Sequence, residues 1–326
     1  MQEIEDNSPF HAAERAAQRL AGVDDRILAV GRSAIRDHLL AQHQEFFRSQ
    51  HQLLLATVDA DAQPWVAMVA GPPGFAHALD ARHLRVDAQP LAGAPGQALS
   101  AGATLGVLGI NFANRRRNRL NGRLLTVDES GFELEVVQSF GNCPKYIQTR
   151  ETRLPAGTTW RVSPSAGEAV TAWDDNACAL IGGADHFFIA THYDQEGDQA
   201  HHGADVSHRG GKPGFIRIDA DGTLLFPDFA GNRFYNTLGN IVANGKAALL
   251  FTDYSTGSLL STSGMASVDW QAASAHGFAG AERLLRFTPR EVWRYPRALP
   301  FAWRFGEQSV ALDATGRWSD SVTPPG

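Results

Sequence analysis

The sequence predicts a mainly β protein, with two half-similar antiparallel barrels in tandem, peripheral helices and a helical arm in front. Three observations carry that prediction. Beyond residue 50 the apolar residues fall in short runs separated by turns rich in Asp, Asn, Gly and Pro, with few helical stretches between them. One turn is written twice, as "VAGPPGF" at residues 69–75 and as "SHRGGKPGF" at residues 207–215. The strands downstream of each copy keep their order and spacing: "ATLGVLGIN" and "RLNGRLLTVDES" after the first, "AALLFTDY" and "LLSTSGMASVDW" after the second.

The arm comes first, over residues 1–50. "HAAERAAQRLAG" is rich in helix formers and stops at Gly22. "RSAIRDHLLAQHQEFFRSQ" reads as one further helix, with Ile35, Leu39, Leu40, Phe46 and Phe47 near one face. The first repeat spans 51–160. "QLLLATVDADAQPWVAMVAG" is strand, Asp-rich turn and strand, "HLRV" continues the sheet, and a hairpin turns at Asp128–Gly131. A boundary falls near 155–175, where "LPAGTTWRVSPSAGEA" has no clear period. The second repeat spans 175–326. It runs strand, loop, strand through "DHFFIATHYDQEGDQAHHGADVSHRGG", then a hairpin in "GFIRIDADGTLLFPD".

Composition bounds the function. A chain of 326 residues with 43% hydrophobic and 20% charged residues has the make-up of a soluble globular protein. A net charge of −6 argues against nucleic acid or an anionic membrane as partner, and no apolar run is long enough to span a bilayer. Two cysteines, Cys143 and Cys178, make no disulfide framework, and the acidic start "MQEIEDNSPF" is unlike a secretory signal, so a cytoplasmic protein is expected.

Two long motifs, "SHRGGKPGF" and "FPDFAGNRFYNTLGNI", resemble the flavin-nucleotide-binding proteins related to pyridoxamine 5'-phosphate oxidase. "SPFHAAERAAQ", "PWVAMVAGPPGF", "RRRNRLNG" and "QSFGNCPKYIQ" are similar to a long, duplicated branch of that family. The resemblance covers nearly the whole chain and implies tandem FMN-binding split β-barrels. In the family, flavins lie in the grooves between two paired barrels; here one chain supplies both, as an intramolecular pseudo-dimer, whether monomeric or a homodimer. No match to the oxidase's C-terminal substrate signature is evident, so its substrate is not carried over.

FMN has a dianionic phosphate, which guanidinium forks and backbone N–H groups match in charge and geometry. By the resemblance, Arg209 and Arg233 are the leading phosphate contacts, with Lys212 and the backbone at Gly210 and Gly211; Asn232, Thr237 and Asn240 belong to the same second-half loop. Ser207 and His208 are expected along the ring and ribityl chain. Arg117, Arg119 and Asn121 are candidates to face the flavin from the first half. Asn142, Cys143 and Lys145 belong to a segment that crosses from the partner barrel, and Lys145, Arg117 or Arg119 is expected to stabilise reduced flavin. The first repeat has "VAGPPGF" and "LAGAPGQALSAG" where the second carries these groups, while only the first retains "QSFGNCPKYIQ". The losses are complementary, so one FMN per chain is expected.

A Gly-rich turn with one Arg is more often a plain hairpin; the adjoining "GNRFYNT" makes flavin binding the better reading. "NRRRNR" reads first as a solvated strand end, His192, His201 and His202 lack a metal-ligand register, and Cys143 is more often a small buried hydrophobe. No general acid or base is identifiable. The leading reading is an FMN-dependent oxidoreductase acting on a small molecule or a nicotinamide nucleotide. The alternatives are a flavin carrier or sensor and, behind it, a haem-handling barrel.

Overall fold

Strands buried on both faces explain the apolar runs, and they decide the architecture. The computed structural model describes residues 8–23, 25–90, 99–154, 167–171, 173–196, 201–271 and 277–320. Its first sheet contains β1 (Gln52–Val58), β2 (Pro64–Ala70), β3 (Ala76–Ala78), β4 (His83–Val86), β5 (Thr104–Asn111), β6 (Arg116–Asp128) and β7 (Gly131–Gly141). Two short strands follow, β8 (Arg150–Arg153) and β9 (Glu168–Val170). The second sheet contains β10 (His186–Tyr193), β11 (Gly203–Gly210), β12 (Arg217–Ile218), β13 (Leu224–Phe229), β14 (Lys246–Asp253), β15 (Ser258–Asp269) and β16 (Ala281–Tyr295).

The two sheets have one strand order. The first runs β2-β1-β5-β6-β7-β4-β3 and the second β11-β10-β14-β15-β16-β13-β12, which is the same sequence of places when each set is counted along the chain. Registers correspond as well. Gln52 pairs with Ala70 as His186 pairs with Gly210, and Asn111 pairs with Arg116 as Asp253 pairs with Ser258.

Side-chain alternation divides each central strand between two cores. Leu53 and Leu55 of β1 enter the first half's own core, whereas Leu54 and Ala56 join a cluster shared between the sheets. In β10, Phe187 and Ile189 turn inward while Phe188 and Ala190 join the shared cluster. The sheets approach so closely that a Cβ added at Gly106 would lie 2.4 Å from the Ala204 carbonyl oxygen. A last strand, β17 (Ala302–Phe305), pairs with β8, so the end of the second half is tied back to the first.

Five described helices flank the sheets: α1 (Ala12–Leu20), α2 (Arg26–Ala34), α3 (Ala41–Arg48), α4 (Asp175–Gly183) and α5 (Asn236–Asn244). In α1, His11 and Glu14 form a reciprocal capping box, and Gly22 follows in the left-handed region at φ 67°. The single helix expected through residue 50 is broken. Residues 35–40 leave the helix because Arg36 pairs with Ser139 of β7 through two backbone hydrogen bonds, 3.1 and 2.6 Å long. The boundary expected at 155–175 and the loop "LAGAPGQALSAG" fall largely outside the described residues.

Candidate functional site

A cavity of about 90 Å³ opens between the two sheets, and guanidinium groups from both line it. The first sheet contributes Arg117 and Arg119. They are two apart on β6 and so share a face, with Asn142 just beyond the end of β7. The second contributes Ser207 and Arg209, likewise two apart on β11, together with Asn232, Arg233 and the first turn of α5.

The start of α5 is left open to the cavity. Tyr235 precedes it in the left-handed region at φ 63°, no side chain caps it, and Asn236, Thr237 and Leu238 all line the cavity. A helix start in this state offers backbone N–H groups and the positive end of its dipole to an anion. Arg233 is also left-handed, at φ 63°, a conformation that costs about 1–3 kcal/mol in a non-glycine residue and that recurs where a ligand is held.

Arg119 is buried, 2% exposed, and fully engaged. It donates to the Val206 carbonyl from Nε and Nη2 at 3.2 and 2.9 Å, to Ser207 Oγ, and to Asn236 Oδ1 at 3.1 Å, with Asp205 at 3.4 Å. Arg117 donates to the Cys143 carbonyl at 2.9 Å and to the His208 carbonyl at 3.4 Å. Burial, with Arg119 and Arg209 pressing the same way, lowers Arg117 to about 10. Arg209 pairs with Asp228, whose other oxygen lies 3.4 Å from Arg283, and its Nε is buried without a partner. Exposed Arg233 has no ion-pair partner among the described residues. The cavity thus holds an excess of cationic donors, and an anion is the chemical complement.

The structure brings together eight of the expected residues: Arg117, Arg119, Asn142, Ser207, Arg209, Asn232, Arg233 and Thr237. The crossing segment also reaches the second half, where Asn232 donates to Asn142 at 2.8 Å and Tyr146 donates to the Ala230 carbonyl at 3.1 Å.

Other expectations need correction. His208 borders the cavity through its backbone, but on a strand its side chain must oppose Ser207 and Arg209. Its ring is stacked on His186 at 4.8 Å, with both nitrogens buried and unpartnered, and burial holds it well below the usual imidazole range. Lys212 turns away and donates to the Thr315 carbonyl at 2.7 Å. Asn121 and Asn240 bind Asp205 at 2.7 and 2.8 Å in a neighbouring polar cavity. Cys143 takes part through its carbonyl, and Lys145 is exposed outside the lining. Gly210 and Gly211 are packing positions instead. A Cβ at Gly210 would meet the Tyr146 carbonyl oxygen at 2.0 Å, and one at Gly211 would meet the Phe215 ring at 2.3 Å.

Sequence reasoning missed the support beneath the cavity. Asn236 donates to Glu14 Oε1, Gln18 donates to the Phe234 carbonyl at 3.0 Å, and Asn240 meets His11 at 2.8 Å, so the N-terminal arm braces the loop and α5. Burial, then the neighbouring Asp205 charge, pushes Glu14 up to about 8. Only the capping-box spacing of His11 and Glu14 hinted at this in the sequence. Among the described residues, no group of three or more His, Cys, Asp or Glu is arranged to hold a metal. No described helix is long and apolar enough to cross a membrane.

Register matching gives the corresponding positions in the other groove. Val69 stands where Arg209 does, Leu259 where Arg117 does, and Ser261 where Arg119 does. All three are buried and uncharged.

Comparison with protein-family models and with curated proteins finds no match for this chain. Among solved structures, HupZ from Group A Streptococcus is similar at 15% identity and a TM-score of 0.30, over 37% of this chain and 98% of that one. General Stress Protein 26 from Bacillus anthracis str. Sterne is similar at 12% identity and a TM-score of 0.26, over 36% and 89%. A FAD-binding protein from Mesorhizobium loti is similar at 12% identity and a TM-score of 0.26, over 40% and 98%.

Proposed function

We propose that the chain binds FMN, with its phosphate in the arginine cavity, and acts as a flavin-dependent oxidoreductase on a small substrate or a nicotinamide nucleotide. The observation that carries this reading is the convergence of Arg117, Arg119, Arg209 and Arg233, from both halves, on the open start of α5. The buried, unpartnered Nε of Arg209 is a donor waiting for an acceptor. At about 90 Å³ the enclosed space suits the phosphate end and not the whole nucleotide. FMN, when bound, supplies hydride or single-electron transfer. The chain's own part is to hold the phosphate through Arg209, Arg233 and the α5 amides, and to set Arg117 and Arg119 as fixed positive charge beside it.

The shared strand order and matched registers support reading the halves as duplicated split barrels packed about a pseudo-twofold axis. Uncharged Val69, Leu259 and Ser261 support a single flavin per chain. Purified protein should show flavin absorption, or acquire it on titration with FMN, and NADH or NADPH should bleach it. A spectrum that stays featureless in excess FMN would overturn the reading. Binding without bleaching by any donor would leave a carrier or sensor.

A further inference from the structure

A second cavity, about 630 Å³, lies between α4, the β14–β15 hairpin and the start of β10. Its size is that of a site for a whole small molecule. Ala177, Leu180 and Leu259 supply apolar wall, and a buried polar chain forms one end. Arg150 Nη2 donates to Asp185 Oδ2 at 2.6 Å, His186 Nδ1 lies 2.8 Å from Asp185 Oδ1, and His186 Nε2 lies 2.7 Å from the Tyr254 hydroxyl. All four side chains line the cavity. Arg150, only 8% exposed, also lies 4.1 Å from the Tyr254 ring centroid and keeps Nη1 buried without a partner.

The hydrogen-bond directions follow from charge. Burial pushes Asp185 up, but His186 and Arg150 outweigh it and hold it at about 2, so it is a carboxylate. Burial lowers His186, so its ring is neutral. A neutral ring facing a carboxylate donates from Nδ1 and accepts at Nε2, which makes Tyr254 the donor to His186. The Tyr254 oxygen is left with lone pairs for a ligand. This is the spacing of a hydroxyl, a base and an orienting carboxylate that moves protons in enzymes.

The fold itself does not require this chain of groups. The register-matched residues of the first sheet are His51 for Asp185, Gln52 for His186 and Phe112 for Tyr254, on the same strand frame. The relay belongs to the second half alone, together with its cavity.

We propose that this cavity is a second ligand site, for a small molecule with an apolar body and an acidic O–H group of the phenol or enol class, which Tyr254 and His186 deprotonate. The ligand O–H bond breaks and its proton goes to the Tyr254 oxygen, while the Tyr254 proton passes to His186 Nε2. The products are a ligand oxyanion beside Arg150 and an imidazolium beside Asp185; no electrons change hands. The site stands on its own geometry and holds whatever occupies the arginine cavity. His208 stacks on His186 and its backbone borders the arginine cavity, so this imidazole pair separates the two.

The test uses para-nitrophenol, whose phenolate is yellow, added to the full-length protein in buffer below the probe's own pKa and read against the same protein without probe. We expect saturable growth of the phenolate band at one probe per chain. Tyr254→Phe should cut the bound phenolate at least about tenfold while leaving FMN binding unchanged. Leu180→Trp, which fills the apolar wall, should abolish binding, with circular dichroism reporting that both variants fold. Binding as the neutral phenol, a full phenolate signal in Tyr254→Phe, or no saturable binding would each overturn the proposal, independently of the flavin result.

Discussion

Removing the Arg209 guanidinium is the sharpest probe of the arginine cavity. Its side chain is 23% exposed, Nη1 pairs with Asp228, and Nε has no partner in the protein. Asp228 keeps Arg283 as a cationic neighbour at 3.4 Å, so Arg209→Ala should fold normally. A hydrogen bond to a charged group contributes about 1.5–3 kcal/mol, which raises the FMN dissociation constant roughly 10- to 100-fold. Riboflavin has the same ring without the phosphate and should bind wild type and variant within about twofold of each other. Flavin fluorescence during titration of apoprotein measures both constants. Equal losses for FMN and riboflavin, or an unchanged FMN constant, would mean the phosphate lies elsewhere. Arg119→Ala is less informative, because it strips a buried partner from Asp205 and leaves the Val206 carbonyl unpaired, destabilising the fold by about 3–5 kcal/mol.

Three further outcomes are expected. FMN titration should saturate at one per chain, since Val69, Leu259 and Ser261 leave the other groove without cations; two equivalents with equal affinity would refute this. Glu14, raised to about 8, keeps its proton in the native state while the unfolded chain loses it near 4.5. Stability should therefore fall as pH rises between those values and level off above, and Glu14→Gln should remove that slope. Urea unfolding across the window checks this, and parallel slopes would place Glu14 in a more solvated setting. Gly106→Ala drives a Cβ to 2.4 Å from the Ala204 carbonyl oxygen between the sheets, so thermal unfolding should register a loss of about 1–3 kcal/mol; an unchanged midpoint would mean the sheets are farther apart.

What was legible in the sequence was local. Turn residues and two-residue alternation marked the strands, the hairpin at Asp128–Gly131 and the repeated order of strands. The pairs Ser207 with Arg209 and Arg117 with Arg119 came through for the same reason, since alternate residues of a strand must share a face. That rule also excludes His208 from the face of its neighbours, and applying it would have removed that residue from the site. The remainder depended on contacts distant along the chain. Residues 35–40 have helix-forming composition, yet pairing between Arg36 and Ser139 pulls them out of the helix. The relay joins His186 to Tyr254 across 68 positions, and the brace joins Glu14 to Asn236 across 222. Periodicity and turn chemistry act over a few residues, so the sequence by itself determined where strands begin, turn and repeat. Which charges are buried together, and what each one faces, is settled only when the two sheets pack and exclude water, so only the tertiary structure decided the arginine cavity, the protonated Glu14 and the relay.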